Sequence, residues 1–362
     1  MVKTTHLNGL TSIRFFLAMW VVSFHSCEEF RNISFIFQII NKGYAAVGGF
    51  FLLSGLILAY NYDKKFNLVD YFQNRFARIY PLYFLSLLIA FPLFAYFQYK
   101  TQTNYLSTIA EVSLSSVFML QSWNTSWLLH LNAPTWSLSV EAFLYLLFPL
   151  SIVLLRRINK TSLIVFQILC FCFILFLLAR VLSLFANFYY NFNLTFPSET
   201  IPIAYITLFL IGIATGLLLK RNILVFIRLK SYKVAMASII VVAMILVLLL
   251  NTNLFNGYSL NFGILSPFYL IIFIILSNNN DLLSSKILLR LGKISYAIYL
   301  LHLPVKAYLL HIFNFIQLNN NYICFAIYIV ILLTISNFVY LKIELPAYNK
   351  LKTMRFLRAL VH

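Results

Sequence analysis

The 362-residue chain is 62% hydrophobic, 18% aromatic and only 10% charged, with a mean hydropathy of +0.88. Soluble domains contain about 25% charged residues, so this composition excludes an ordinary soluble protein and indicates an integral membrane protein. The formal net charge of +18 does not indicate a nucleic-acid-binding protein, because no basic run with interleaved aromatic residues occurs and the cations lie between apolar spans. We interpret these cations as determinants of membrane topology.

Apolar stretches of the length needed to cross a bilayer, about 20 helical residues, occur ten times. They cover residues 10–28, 43–61, 79–99, 138–155, 161–186, 202–219, 234–250, 261–277, 294–316 and 323–341. Of the 27 Lys and Arg residues, 21 fall on one side of the resulting alternating topology. The positive-inside rule then predicts an all-α polytopic membrane protein of about ten transmembrane helices with both termini cytoplasmic. Residues 1–362 are expected to form a single transmembrane domain.

The first span carries two ionisable residues, Arg14 and His25. Residues at this separation lie about 16 Å apart along a helix and roughly 20° beyond three full turns, so both side chains share one face. An ionisable group at bilayer depth costs about 2.5–3.5 kcal/mol on insertion scales, so such groups normally face a protein interior or a wet cavity. The pair predicts a polar path through the helix bundle.

Two arginines precede the third span in the run RFARIYPLY. Arg75 and Arg78 are spaced i, i+3 and are expected on one helical face. Guanidinium groups donate hydrogen bonds in a planar fork that suits phosphate or carboxylate, so a cytosolic anionic cofactor is one natural ligand. Binding of lipid headgroups by topology-determining charges is the other, and the sequence leaves both open.

The fourth span opens with TWSLSVEAFLYLLFP, which places Glu141 in the expected first turn beside Trp136. An acid at a helix N-terminus is favourable in itself, so capping is an alternative to a functional role. The preceding outer segment, 100–137, contains a partly apolar piece, 107–120, expected to form an interfacial helix or a re-entrant lid.

In the ninth span, polar residues follow spacings of 4, 3 and 4 and so form one stripe of a helix: Ser295, Tyr299, His302 and Lys306. A polar stripe on an apolar helix predicts a cavity or a partner helix. Glycines in the second span are expected to allow close helix packing. They are Gly43, Gly48, Gly49 and Gly55. The four cysteines include no CxxC pair, so neither a disulfide framework nor a metal site is predicted.

Five ordered motifs together resemble the membrane acyltransferase 3 family of bacterial O-acyltransferases. They are LNGLTSIRFFLAMWVVSFH, GFFLLSGLIL, RFARIYPLY, TWSLSVEAFLYLLFP and ISYAIYLLHLPV. The resemblance implies a multi-pass enzyme of the bacterial inner membrane. Such an enzyme transfers an acyl group, usually acetyl from cytosolic acetyl-CoA, to a hydroxyl of an envelope or exported glycan such as O-antigen, capsule or exopolysaccharide. Expected partners are a glycan or lipid-linked sugar and membrane lipid, without metal or nucleic acid.

The resemblance also implies roles for individual residues of this sequence. Arg14 and His25 match the family's essential first-helix pair, and Arg75 with Arg78 matches its RxxR pair, expected to bind the CoA donor. Supporting roles are expected for residues at further motif positions: Trp136, Glu141, Tyr299 and His302.

The chain departs from the family pattern at its opening. The family usually reads LDGLR there, whereas this sequence has Leu7-Asn8-Gly9-Leu10 followed by Thr11, which puts any role for the acid in doubt. Some members append an esterase-like domain after the last helix. This chain is expected to be the stand-alone form.

Three mechanistic questions stay open at the level of sequence: whether His25 or His302 is the general base, whether transfer is direct or passes through a covalent intermediate, and whether the acyl group is acetyl. A secondary transporter is the first alternative function, since it would also contain about ten helices and a polar intramembrane path. No inverted repeat or paired broken helices favour it. A purely structural membrane protein is the second alternative.

Overall fold

The computed structural model describes residues 7–27, 33–62, 66–124, 127–156, 201–221, 243, 265–277 and 283–354. Their regular structure is helical, and no strand occurs within these ranges. The all-α prediction is confirmed. The main helices are α1 (Asn8–Phe24), α2 (Ser34–Ile40), α3 (Ala46–Asn61), α4 (Leu68–Thr101), α5 (Tyr105–Val117), α6 (Trp136–Arg156), α7 (Ile206–Lys220), α8 (Ser266–Leu276), α9 (Lys286–Phe315), α10 (Asn321–Val339) and α11 (Leu345–Thr353).

Six helical stretches in the described part of the chain are long and apolar enough to cross a membrane, and α1 and α8 are shorter apolar helices. The six are Ile36–Asn61, Leu68–Thr101, Ala133–Arg156, Pro202–Lys220, Lys286–Phe315 and Asn321–Thr353. The chain is therefore a multi-pass membrane protein. The predicted spans 161–186 and 234–250, with Cys170, Cys172 and Arg180, lie outside the described residues. The count of ten spans and the side of the termini stay predictions.

Two differences between the helix boundaries and the predicted spans change the position of predicted site residues. The helix of the third predicted span, α4, begins at Leu68 rather than at 79. The Asn67 side chain caps it there by accepting hydrogen bonds from the backbone N–H groups of Val69 and Asp70. Arg75 and Arg78 therefore lie inside α4. The first helix ends at Phe24 rather than at 28, so His25 is its C-cap residue.

The segment between α4 and α6 contains the expected helix, α5. Its C-terminal end is tied to α4 by two tyrosines, whose hydroxyls donate to backbone carbonyls: Tyr80 to Val117 at 3.2 Å, and Tyr83 to Ser116. Two short 3₁₀ turns, Gln121–Trp123 and Ala133–Thr135, then lead into α6. The segment is therefore held against α4.

The chain divides into two compact units, which we call the first unit (residues 1–64 and 143–293) and the second unit (residues 65–142 and 294–362). In the first unit, α3 and α7 pack at backbone contact through glycines. An ideal Cβ on Gly55 would lie 2.2 Å from the Phe209 carbonyl oxygen, and one on Gly212 would lie 2.1 Å from the Leu52 carbonyl oxygen. Only residues without a side chain allow this approach, so the packing role predicted for Gly55 is confirmed.

Gly212→Ala should destabilise the protein by about 1–3 kcal/mol, because the added methyl meets rigid backbone and the two helices must separate. Unfolding by SDS in mixed micelles measures this change in free energy. Gly49→Ala is the matched control, since its Cβ would meet only side chains, the Tyr269 ring at 3.3 Å and Leu17 at 3.4 Å. Equal effects of the two substitutions would contradict the backbone-contact explanation.

In the second unit, tyrosine hydroxyls join neighbouring helices by donating to backbone carbonyls. Tyr296 of α9 bonds to Ile79 of α4 at 2.9 Å, and Tyr328 of α10 bonds to His302 of α9 at 3.1 Å. Inside a membrane, polar groups must find partners within the protein. These bonds satisfy the buried hydroxyls and connect α4, α9 and α10.

Candidate active site

His25 lies at the carboxyl end of α1 in the first unit and is half-buried. Its Nδ1 is 3.1 Å from the carbonyl oxygen of Val21, one turn earlier in the helix. A carbonyl oxygen only accepts hydrogen bonds, so Nδ1 is the nitrogen that carries the hydrogen. In the neutral imidazole, Nε2 then holds the lone pair, which is the form a general base requires.

Aromatic rings flank this end of α1. The Phe24 ring contacts the His25 ring edge to face at a centroid distance of 4.9 Å and the Tyr44 ring at 5.5 Å. Gly43 allows the contact, because a Cβ there would lie 2.3 Å from the Trp20 carbonyl oxygen. These contacts hold the chain around His25 in one arrangement. Arg14, near the other end of α1, is also half-buried.

His302 lies in the second unit, on α9, and is fully buried at 0% exposure. Its Nδ1 is 2.6 Å from the Tyr299 carbonyl oxygen, so the same argument places the hydrogen on Nδ1 and the lone pair of the neutral ring on Nε2. The two histidines of the predicted site thus have the same tautomer, and tautomer alone does not choose between them.

Tyr299 continues the stripe predicted on α9. Its hydroxyl lies 2.8 Å from the Ser137 hydroxyl and donates to the Pro134 carbonyl oxygen at 3.2 Å. Ser295, Tyr299 and His302 are all buried, and Lys306 is half-buried. The α9 stripe therefore faces the protein interior, as the spacing predicts, and it contacts the residues that lead into α6.

Glu141 does not lie in the first turn of its helix, contrary to the prediction. The 3₁₀ turn Ala133–Thr135 leads directly into α6, which begins at Trp136, so the first turn contains no acid and N-terminal capping does not explain Glu141. The half-buried carboxyl lies within electrostatic range of the Tyr299 hydroxyl. The second unit thus brings Glu141 and Tyr299 into one neighbourhood.

Arg78 forms an ion pair that the sequence does not reveal. Its Nη1 lies 2.7 Å from Oε1 of Glu344, whose side chain is 2% exposed, while that of Arg78 is 31% exposed. Glu344 ends a π-helical turn, Tyr340–Glu344, between α10 and α11. A guanidinium carries five N–H donors, so one bond to Glu344 orients Arg78 without using all of them. Arg75 lies one turn earlier on α4 and is half-buried.

Sequence reasoning also missed a buried polar network in the second unit. The Gln121 amide donates to the Tyr83 hydroxyl at 3.1 Å and the Thr135 carbonyl at 2.8 Å, and the Asn132 amide donates to the Leu300 carbonyl at 3.1 Å. Within the described residues, Oε1 of Gln121 and Oδ1 of Asn132 meet no donor. Buried acceptors of this kind suit water or a hydroxyl-bearing ligand. The signal was the polar run QSWNTSWLLHLNAPTWS in an otherwise apolar chain.

The predicted site residues are divided between the two units. Arg14 and His25 belong to the first unit. The second unit holds the others: Arg75, Arg78, Trp136, Glu141, Tyr299 and His302. No group of three metal-ligating side chains occurs in the parts of the chain that the structure covers. The catalytic and donor-binding roles of all these residues stay predictions.

The acyltransferase domain family, acyltransferase 3, matches residues 7–341. The chain belongs to this family. The resemblance drawn from the five motifs is thus confirmed. The match covers both units and every predicted site residue.

Three curated relatives are similar to this chain. The acyltransferase MdmB of Streptomyces mycarofaciens is 32% identical over 163 residues, 43% of this chain and 42% of MdmB. ORF330 of Acidianus two-tailed virus, provisionally named an acetyltransferase, is 28% identical over 275 residues, 74% of this chain and 75% of ORF330. The O-acetyltransferase OatA of Staphylococcus aureus is 25% identical over 335 residues, 84% of this chain and 51% of OatA. The chain thus spans about half the length of MdmB and OatA. No solved structure matches it significantly.

Proposed function

We propose that this acyltransferase moves an acetyl group from cytosolic acetyl-CoA to a hydroxyl of an envelope or exported glycan, either free or lipid-linked. The names of ORF330 and OatA support acetyl as the acyl group. The positive charges between the spans support an inner-membrane protein of about ten helices, formed by residues 1–362 as one transmembrane domain with both termini in the cytoplasm.

The observation that carries the proposal is the position of His25 as the C-cap residue of α1, where its Nδ1 also donates a hydrogen bond to the Val21 carbonyl. It leaves the lone pair of the neutral ring on Nε2, at the end of a helix whose negative dipole end is compatible with the imidazolium that forms when a base takes a proton. In a chain of an acyltransferase family, this arrangement supports His25 as the general base for an alcohol.

In the proposed reaction, Nε2 of His25 takes the proton of the acceptor hydroxyl as its oxygen attacks the carbonyl carbon of the thioester. A C–O ester bond forms, the C–S bond breaks, and CoA leaves as a thiolate that takes up the proton. General base catalysis of this kind contributes about 10²–10⁴-fold. Arg14 assists with its positive charge.

Arg75 and Arg78 are proposed to bind the phosphates of CoA. Their fit to a phosphorylated donor rests on the exposed third of the Arg78 side chain and on the Glu344 carboxylate, which fixes the guanidinium in place. Arginine donates to phosphate through parallel N–H groups, and an oriented guanidinium loses less side-chain freedom on binding. Trp136, Glu141, Tyr299 and His302 are proposed as supporting residues.

The direct test uses purified protein in proteoliposomes with acetyl-CoA labelled in the acetyl group. The expected result is stoichiometric release of CoA thiol, detected by a thiol reagent, together with an alkali-labile label on glycan extracted from the native envelope. Envelope glycans from cells with and without the protein, compared by mass spectrometry, identify the acceptor and distinguish an acetyl from a succinyl mass. Flux of intact substrate without thiol release would contradict the proposal and favour a transporter.

A further inference from the structure

The carboxyl end of α1, where His25 lies, is in contact with one other piece of the first unit, the segment 39–44 between α2 and α3. The indole N–H of Trp20 donates a hydrogen bond to the backbone carbonyl oxygen of Ile39 at 3.0 Å. Trp20 precedes His25 by a little more than one helical turn. Its side chain therefore joins the last part of α1 to the beginning of the segment.

Glycine allows the same segment to lie directly on α1. An ideal Cβ on Gly43 would lie 2.3 Å from the Trp20 carbonyl oxygen and 2.8 Å from the Phe24 Cβ, so any side chain there would push the segment away from the helix. The ring of Tyr44 contacts the Phe24 ring at a centroid distance of 5.5 Å, and the Phe24 ring contacts the His25 ring at 4.9 Å. Phe24 thus contacts both the segment and His25.

The contacts continue beyond His25. The Cys27 thiol lies 3.8 Å from the Asn41 side-chain oxygen, within reach of a weak S–H hydrogen bond. The segment therefore contacts the chain on both sides of His25. Such support matters because helix ends fray, and the last four backbone carbonyls of a helix have no partner within it. The bond between His25 Nδ1 and the Val21 carbonyl requires that the last turn of α1 stays closed.

We infer that Trp20 is a positioning residue for His25. By fixing Ile39, it holds the segment 39–44 against the last turn of α1. The closed turn keeps the hydrogen of the imidazole on Nδ1 and the lone pair of the neutral ring on Nε2. Trp20 itself touches no reacting atom. This role rests on the proposed function, in which Nε2 takes the proton of the acceptor hydroxyl.

The test begins with Trp20→Phe, which removes the indole N–H and keeps an aromatic ring. In proteoliposomes, we expect the maximal rate of CoA thiol release to fall about tenfold, as for the loss of one hydrogen bond, with KM for acetyl-CoA unchanged. Trp123→Phe is the matched control. It removes an indole N–H from a residue of the second unit that is 43% exposed, and it should keep the wild-type rate.

Gly43→Ala disturbs the same contact from the side of the segment and leaves the indole intact. We expect a similar fall in the maximal rate, because the added methyl meets the backbone of α1. Gly49→Ala is its control in the same unit, since the Cβ there would meet only side chains, among them the Tyr269 ring at 3.3 Å. Agreement between Trp20→Phe and Gly43→Ala would show that the contact, and not one side chain, holds His25.

Nitrogen NMR of protein labelled in the histidine rings measures the tautomer directly. The chain has six histidines, so the His25 signal is identified as the one missing from His25→Ala. Wild-type protein should show His25 with its hydrogen on Nδ1. Trp20→Phe and Gly43→Ala should show a mixture of both tautomers, whereas the two controls should match the wild type. Loss of stability alone would not change the tautomer of the folded protein.

The outcomes separate a positioning role from a structural one. A lower rate together with a mixed tautomer in both clamp variants, Trp20→Phe and Gly43→Ala, supports the role of Trp20. A lower rate with the wild-type tautomer, or an unchanged rate and tautomer, contradicts it. Wild-type transfer by His25→Ala would instead contradict the proposed function, and the tautomer spectra would still test Trp20.

Discussion

His25→Ala should lower the rate of acetyl transfer by about 10²–10⁴-fold, the loss expected when a general base is removed. The reason is local: the Val21 carbonyl fixes the hydrogen on Nδ1, so Nε2 is the atom that can accept the hydroxyl proton. The measurement is release of CoA thiol in proteoliposomes at saturating acetyl-CoA, with KM for acetyl-CoA nearly unchanged.

His311→Ala is the matched control for His25→Ala. His311 is an exposed residue of α9, and its removal should leave transfer unchanged. His302→Gln addresses the competing base. Because His302 is fully buried and bonded to Tyr299, we expect that variant to lose stability, with transfer reduced less than in His25→Ala. Full transfer by His25→Ala would exclude His25 as the general base. A larger loss of transfer in a stably folded His302→Gln variant would assign the general base to His302. Full transfer by both variants would exclude both histidines.

Arg78→Ala should destabilise the protein by about 1–3 kcal/mol, because it removes a charge-assisted hydrogen bond to the buried carboxylate of Glu344. The side chain of Glu344 is 2% exposed, so water cannot replace the guanidinium. SDS unfolding in mixed micelles measures the loss. A drop in activity of Arg78→Ala would therefore not by itself show that Arg78 binds the donor.

The double variant Arg78→Ala, Glu344→Gln separates the two roles. Neutralising Glu344 removes the buried negative charge that the guanidinium of Arg78 offsets, so much of the stability should return, while CoA affinity should stay low if Arg78 contacts phosphate. Arg75→Gln should weaken CoA binding without a comparable loss of stability. Recovery of CoA affinity together with stability in the double variant would show that Arg78 acts only through the fold.

The Arg78–Glu344 ion pair could not be predicted from the sequence. The positions are 266 residues apart in the chain, and no local pattern connects them. A signal did exist, because Glu344 is the only acid after Asp281 in a segment otherwise apolar or basic. An isolated acid near a membrane helix end suggests a partner, but only the fold selects which of 27 cations it meets.

The helix boundaries were also predicted only in part from the sequence. Hydropathy located the apolar spans, because a helix that crosses a bilayer needs about 20 consecutive, mostly apolar residues. Hydropathy is averaged over many residues, so it does not detect the single hydrogen bonds and turns that set helix ends. Examples are the Asn67 cap at the start of α4, the end of α1 at Phe24 and the start of α6 at Trp136. Because α6 begins at Trp136, Glu141 lies beyond the first turn of that helix.

The sequence by itself determined the family, the membrane class and the residues that share one helical face, such as the α9 stripe from Ser295 to His302, because period and composition are local properties. The tertiary structure decided which polar groups meet. It joined Tyr299 to Ser137, Arg78 to Glu344 and α3 to α7 through glycine. In an apolar environment each buried polar group must find its partner within the protein, and that partner is most often distant in sequence.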